Sequence, residues 1–111
     1  MIINFDEIEE KVTPNFHGGD GEMKAHIFVD NNNKILVGKL EPGSSIGVHC
    51  HENNSETIYI TKGRGKVAYN DEFEFVSEGV CHYCPLGHSH GLINDSNEDL
   101  HFFAIVSEHN K

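Results

Sequence analysis

Nine histidines among 111 residues pose the first chemical question. His49 and His51 stand two apart in a segment of strand-forming character. Alternate residues of a strand share a face, so both imidazoles leave the sheet on one side. After the short polar turn Glu52, Asn53, Asn54, Ser55, a hairpin returns Glu56 beside them. Ile58 and Ile60 are in phase with Glu56 and apolar, so this shared face is an interior one. A carboxylate in an apolar interior is costly unless a cation meets it, and no Lys or Arg is in phase nearby. A divalent metal satisfies all three groups at once. His90, leading a later strand with Leu92 and Asn94 in phase, is the candidate fourth donor once the sheet curls back opposite His49. The expected site is therefore His49, His51, Glu56 and His90, three imidazoles and one carboxylate around one metal ion. No catalytic residue is assigned, because no general base or nucleophile stands out beyond a metal-bound water.

The elements that position these side chains are strands. Period-two patterning and β-prone composition predict them at residues 24–30, 34–40, 45–51, 56–62, 65–69, 72–76, 80–84, 90–94 and 100–106. Asn31-Asn32-Asn33, Pro42-Gly43, Gly63, Pro85-Leu86-Gly87 and the polar run 95–99 separate several of them, and Asn70-Asp71 reads as a two-residue hairpin turn. Residues 2–11 carry only a weak amphipathic pattern, enough for a short helix or a turn, and 14–21 is a loop by composition. Short strands with frequent turns and no crossover helix define an all-β antiparallel sandwich or barrel of the jelly-roll kind. The length fits one domain. Residues 24–111 form it, with 1–23 an N-terminal segment and Gly-rich loop of the same fold.

Gly43, His49, His51, Glu56 and Gly63, followed by Gly79, Pro85, Gly87, His90 and Asn94, stand at the spacing of two known motifs. On these residues the chain resembles the cupins over about residues 24–106, specifically the small single-domain bacterial metal-binding members. It departs from many of them at Val80, where they carry Asp. The resemblance implies a double-stranded β-helix barrel, a metal at its centre held by His49, His51, Glu56 and His90, and a homodimer. Three nitrogens and one oxygen suit Fe, Mn, Zn, Ni, Co or Cu. The expected function is binding of, or action on, a small oxygen-rich organic molecule. As an enzyme the protein would be a dioxygenase on iron, or a Lewis-acid isomerase or lyase; the alternative is a non-catalytic module that binds metal and a small ligand.

Parity extends the reading to the pocket walls. Ile58, Ile60, Leu92, Phe73 and Phe75 are expected inside. On the last strand either Phe102 and Ala104 or His101, Phe103 and Ile105 face the core, and the opposite apolar face is expected to meet a second subunit. The four motif glycines Gly43, Gly63, Gly79 and Gly87 are expected at turns needing positive φ. His26 either enters the pocket or stays on a partly exposed face, and Lys24 either meets an acidic substrate or is solvated. Tyr59 is placed outside, and Tyr83 on either face. His82 and His88 are expected to be solvated or at an interface. His17 with its glycines is expected to form a flexible flap at the barrel mouth.

Eighteen acidic against eight basic residues give a net charge of −10, which disfavours nucleic acid and anionic membranes as partners. No apolar run approaches a membrane span, and no signal peptide is expected. Cys50, Cys81 and Cys84 are an odd number, so a cytoplasmic protein with reduced thiols is expected. Cys50 is out of phase with the two histidines, and Cys81 and Cys84 cannot share a strand face.

Overall fold

The computed structural model describes residues 1–109. Ten strands are present among the described residues: β1 (Lys11–Pro14), β2 (Glu22–Val29), β3 (Asn33–Leu40), β4 (His49–Cys50), β5 (Asn54–Lys62), β6 (Arg64–Tyr69), β7 (Glu72–Ser77), β8 (Cys81–Cys84), β9 (Ser89–Ile93) and β10 (Leu100–Glu108). They form two antiparallel sheets, ordered β1-β2-β3-β10-β5-β8 and β4-β9-β6-β7. This is the jelly-roll barrel that the turn spacing predicts. No helix among the described residues is long and apolar enough to cross a membrane.

The core lies between the sheets and follows the period of two. Leu36 and Leu40 of β3, Ile58 and Ile60 of β5, and Leu100, Phe102 and Ala104 of β10 are all buried. Gly38 faces Phe102 across the β3–β10 ladder. A Cβ on Gly38 would come within 2.6 Å of the Phe102 ring, so the glycine makes room for the aromatic. That settles the last strand: Phe102 and Ala104 face inward. Its outer face is covered in part by the chain's own N-terminal segment, since Phe5 meets Phe103 edge-to-face at 6.4 Å. Tyr59 and Tyr83 both face outward.

The helix expected within residues 2–11 is a 3₁₀ turn, Phe5–Glu7, whose cap Asn4 accepts the Asp6 N–H. Strand β1 was not predicted. It is a short edge strand with one apolar residue, ended by Pro14, which has no N–H to give. The predicted strand 45–51 shrinks to His49–Cys50, with an isolated bridge from Ser45 to Ile93. The ladder breaks because the Gly47 N–H is taken by the Phe16 carbonyl at 3.0 Å. The hairpin at Asn70-Asp71 has φ of 46° and 69°, the doubly left-handed turn that matches strand twist. All four motif glycines have positive φ, as expected.

One interior assignment fails. Phe73 and Phe75 are 57% and 80% exposed, whereas Val76 is buried. On β7 the inward set is therefore Glu74 and Val76. A strand with aromatic residues on one face and acidic residues on the other suggests the wrong face when aromatics are taken as core.

Candidate metal centre

The turn Glu52-Asn53 joins β4 to β5 and brings Glu56 back beside the two histidines. Strand β9 pairs with β4 so that His90 lies directly opposite His49. One donor atom from each of His49, His51, Glu56 and His90 then lies within 4.8 Å of all the others. Glu56 Oε1 is 3.1 Å from His51 Nε2, 2.9 Å from His90 Nε2 and 4.0 Å from His49 Nε2. His51 Nε2 and His90 Nε2 are 2.9 Å apart.

The outer nitrogen of every ring is already engaged. His49 Nδ1 donates to the Gly47 carbonyl at 2.8 Å. His51 Nδ1 donates to Asn54 Oδ1, and the other end of that amide donates to Glu108 at 2.9 Å. His90 Nδ1 faces His82 Nε2 at 3.0 Å, and His82 Nδ1 reaches Glu74 Oε1 at 2.8 Å. With a proton on each Nδ1, three Nε2 lone pairs and a carboxylate oxygen point at one volume. Such a set repels itself unless a cation sits among it, either a proton shared with Glu56 or a metal ion that displaces it, and the donor types present fit a divalent metal.

The electrostatics follow from the same contacts. Burial pushes the His49 imidazole down to about 4, which keeps it neutral. His51 is raised above its ordinary value by its bond to Glu56. Burial would lift the Glu56 carboxyl, but the bonds from His51 and His90 override it and hold the group at about 2. Burial lowers His17 and His82 as well.

His49, His51 and Glu56 line a cavity of about 370 Å³, with His90 buried behind them. Its other walls include Met23, Ile27, Leu36 and Phe102, with Lys34 and His17 adding polar groups. Lys34 was not singled out, although it is in phase with Leu36 on β3 and parity alone places it inward. Conversely, Lys24 pairs with Glu41 at 2.9 Å away from this cavity, and His26 lies on the outer face of β2, bonded to the Ile8 carbonyl.

His82 is not solvated. It is 3% exposed and wedged between His90 and Glu74. Parity on a four-residue strand with Tyr83 as its neighbour gives little warning of this. His88 is half-buried and meets the Tyr69 hydroxyl at 2.7 Å. Asn94, the last motif residue, is fully buried and structural: its amide donates to the Leu40 and Glu98 carbonyls.

The Gly-rich segment is not a loose flap. Ser45 N–H donates to Asp20 O, Asn15 N–H to Gly21 O, and the Asn15 amide to Gly19 O. The backbones of Gly19 and Gly47 touch, and a Cβ on Gly47 would fall 2.0 Å from the His17 carbonyl. His17 itself sits at φ 53° and stacks on the His49 ring, with centroids 3.8 Å apart and planes at 13°. The segment is a fixed strap that buttresses one of the four clustered side chains.

A jelly-roll barrel with three imidazoles and a carboxylate converging on one point inside it is the architecture of the cupin class. The cupin domain family matches residues 36–106, and the chain belongs to that family. It is 33% identical over 112 residues to the oxalate-binding protein of Thermotoga maritima, covering 96% of this chain and 93% of that one. Among solved structures it is similar to a predicted oxalate decarboxylase from Thermotoga maritima, with a TM-score of 0.90, 30% identity, and coverage of 97% and 99% of the two chains. A cupin-superfamily sugar phosphate isomerase from Silicibacter pomeroyi shares the fold, with a TM-score of 0.81 at 18% identity over 97% of this chain and 76% of that one.

Proposed function

We propose that the protein is a divalent-metal cupin that binds a small dicarboxylate of oxalate's class in its cavity. The observation that carries this reading is the set of three Nδ1-anchored histidines converging with Glu56. His49, His51, Glu56 and His90 would hold the ion. When bound, the ion supplies a Lewis acid for carboxylate oxygens. The chain supplies the rest. Lys34 offers a positive charge to an anion in the cavity, and Met23, Leu36 and Phe102 give it an apolar wall, with Glu52 and Glu108 among its other lining residues. The name of the Thermotoga relative supports oxalate as the first ligand to test. The free thiols Cys50 and Cys81, both exposed, suit a reducing cytoplasm. The exposed Phe73 and Phe75 suit burial in a homodimer.

The test is elemental analysis of untagged protein, wild type beside His51→Ala, followed by calorimetric titration of the loaded protein with oxalate. About one equivalent of Fe, Mn, Zn, Ni, Co or Cu, lost in the variant, with oxalate binding only to the loaded form, is expected. Failure to retain any of these ions after reconstitution would defeat the metal reading. Oxygen uptake, or conversion of the bound acid, would add catalysis as a dioxygenase, lyase or isomerase to binding. A ligand recovered unchanged marks a binding module.

A further inference from the structure

Buried polar groups need partners, and a histidine in an apolar interior is costly where an aliphatic side chain would pack. His82 occupies such a place. Its side chain is 2% exposed, it projects from β8, and it pairs across the ladder with Ile58. Neither of its ring nitrogens is free: Nδ1 is 2.8 Å from Glu74 Oε1 and Nε2 is 3.0 Å from His90 Nδ1. Three residues thus form a line from the clustered donors to the protein surface, where the Glu74 side chain is 49% exposed. The line also crosses between sheets, since β8 is an edge of the six-stranded sheet and β7 an edge of the four-stranded one.

The direction of each bond follows from what each group can do. A carboxylate accepts, so His82 carries its proton on Nδ1. A neutral imidazole then has only a lone pair on Nε2, which can accept but not donate. The facing atom, His90 Nδ1, must therefore carry the proton, and the His90 lone pair is left on Nε2, aimed at Glu56 and His51. Remove the carboxylate and His82 is free to place its proton on Nε2. That proton would oppose the one on His90 Nδ1, or drive His90 into the tautomer whose Nε2 bears hydrogen and cannot ligate.

We infer that Glu74, acting through His82, is a positioning residue that fixes His90 in its metal-ligating tautomer. The inference rests on the metal reading above. Glu74 touches none of the four clustered residues directly; its influence passes along one buried imidazole.

The experiment compares wild type, Glu74→Ala, Glu74→Gln and, as a surface control on the same strand, Ser77→Ala. Three quantities are read: Co(II) affinity by chelator competition, the visible d–d bands of the Co(II) protein, and the melting temperature of the metal-free protein. Nitrogen-15 NMR of the metal-free wild type adds the His82 tautomer. Glu74→Ala is expected to weaken Co(II) binding by about 10- to 100-fold and to shift the bands. The melting temperature should fall by less than the affinity loss implies, because His82 loses one hydrogen-bond partner while the half-exposed Glu74 side chain gives up little packing. Glu74→Gln keeps an acceptor oxygen and should recover most of the affinity, and Ser77→Ala should match wild type. In the wild type His82 should carry its proton on Nδ1.

Co(II) binding and bands unchanged in Glu74→Ala would overturn the inference, as would a His82 proton on Nε2. So would an affinity loss matched by an equal fall in melting temperature with no recovery in Glu74→Gln, which would make the bridge a staple between sheet edges. A wild type that binds no Co(II) would defeat the metal reading itself, whereas a wild type that binds while Glu74→Ala is unaffected defeats only this inference.

Discussion

The three clustered imidazoles are not equivalent, and proton competition should reveal it. A metal takes neutral imidazole, so any proton on an Nε2 must leave when the ion binds. His49, pushed down to about 4 by burial, carries none at neutral pH. His51, raised by its bond to Glu56, is the ring that holds a competing proton. Apparent Co(II) affinity should therefore fall as pH drops from 8 to 6, approaching about tenfold per unit once His51 is protonated, as displacement of one proton requires. Chelator competition across that range measures it, and a flat profile would exclude proton displacement at His51. The convergence of His49, His51, Glu56 and His90 was legible because it rests on strand parity and turn position alone. The roles of Asn54, His82 and Glu74 were not legible. They depend on which side chain from another strand ends beside each outer nitrogen, and no spacing within one strand encodes that.

At the scale of elements, two backbone approaches decide how the site is framed. Gly38 lies under the Phe102 ring in the β3–β10 pair, and the cavity wall next to it includes Leu36 and Phe102. Gly38→Ala should overpack this contact and cost about 1–3 kcal/mol, read as a lower melting temperature. Gly47 carries the second approach. Because a Cβ there would strike the His17 carbonyl, Gly47→Ala should lift the strap 15–21 from residues 45–47. Faster hydrogen exchange at the Ser45 and Gly47 amides, with the β10 amides unchanged, is the expected outcome; unchanged exchange would mean that the strap accommodates the methyl. Composition misled here. A segment rich in glycine reads as flexible, yet Gly19 serves close packing of its backbone against Ser45 and Gly47, which the sequence records in the same letter. Strand existence was legible almost throughout, while β1 and the break before β4 were not, because both depend on backbone bonds made with distant residues.

For the whole molecule, the unexplained quantity is apolar surface. Sequence parity puts Phe73 and Phe75 in the core, yet both are exposed on β7; on the outer face of the last strand, where a second subunit is expected, Phe5 covers part of the surface at Phe103. Lys66 Nζ lies 4.5 Å from the Phe73 ring centroid and shields only part of it. Val48, on the same four-stranded side of the barrel, is 62% exposed and lines a shallow depression with Phe73. A chain of this size buries a smaller fraction of its surface than a larger one does, which makes association a natural way to cover the remainder. The net charge of −10 opposes approach of two copies at low salt, and 0.1 M salt screens the part of that repulsion acting beyond about 10 Å. Dimerisation through the β7 face should therefore strengthen with ionic strength, and Phe73→Ser with Phe75→Ser should abolish it without lowering the melting temperature of the monomer. Light scattering after size exclusion, at low and moderate salt, distinguishes the cases. A wild type that stays monomeric at both salts removes the dimer, and a double variant that still dimerises moves the interface to another face.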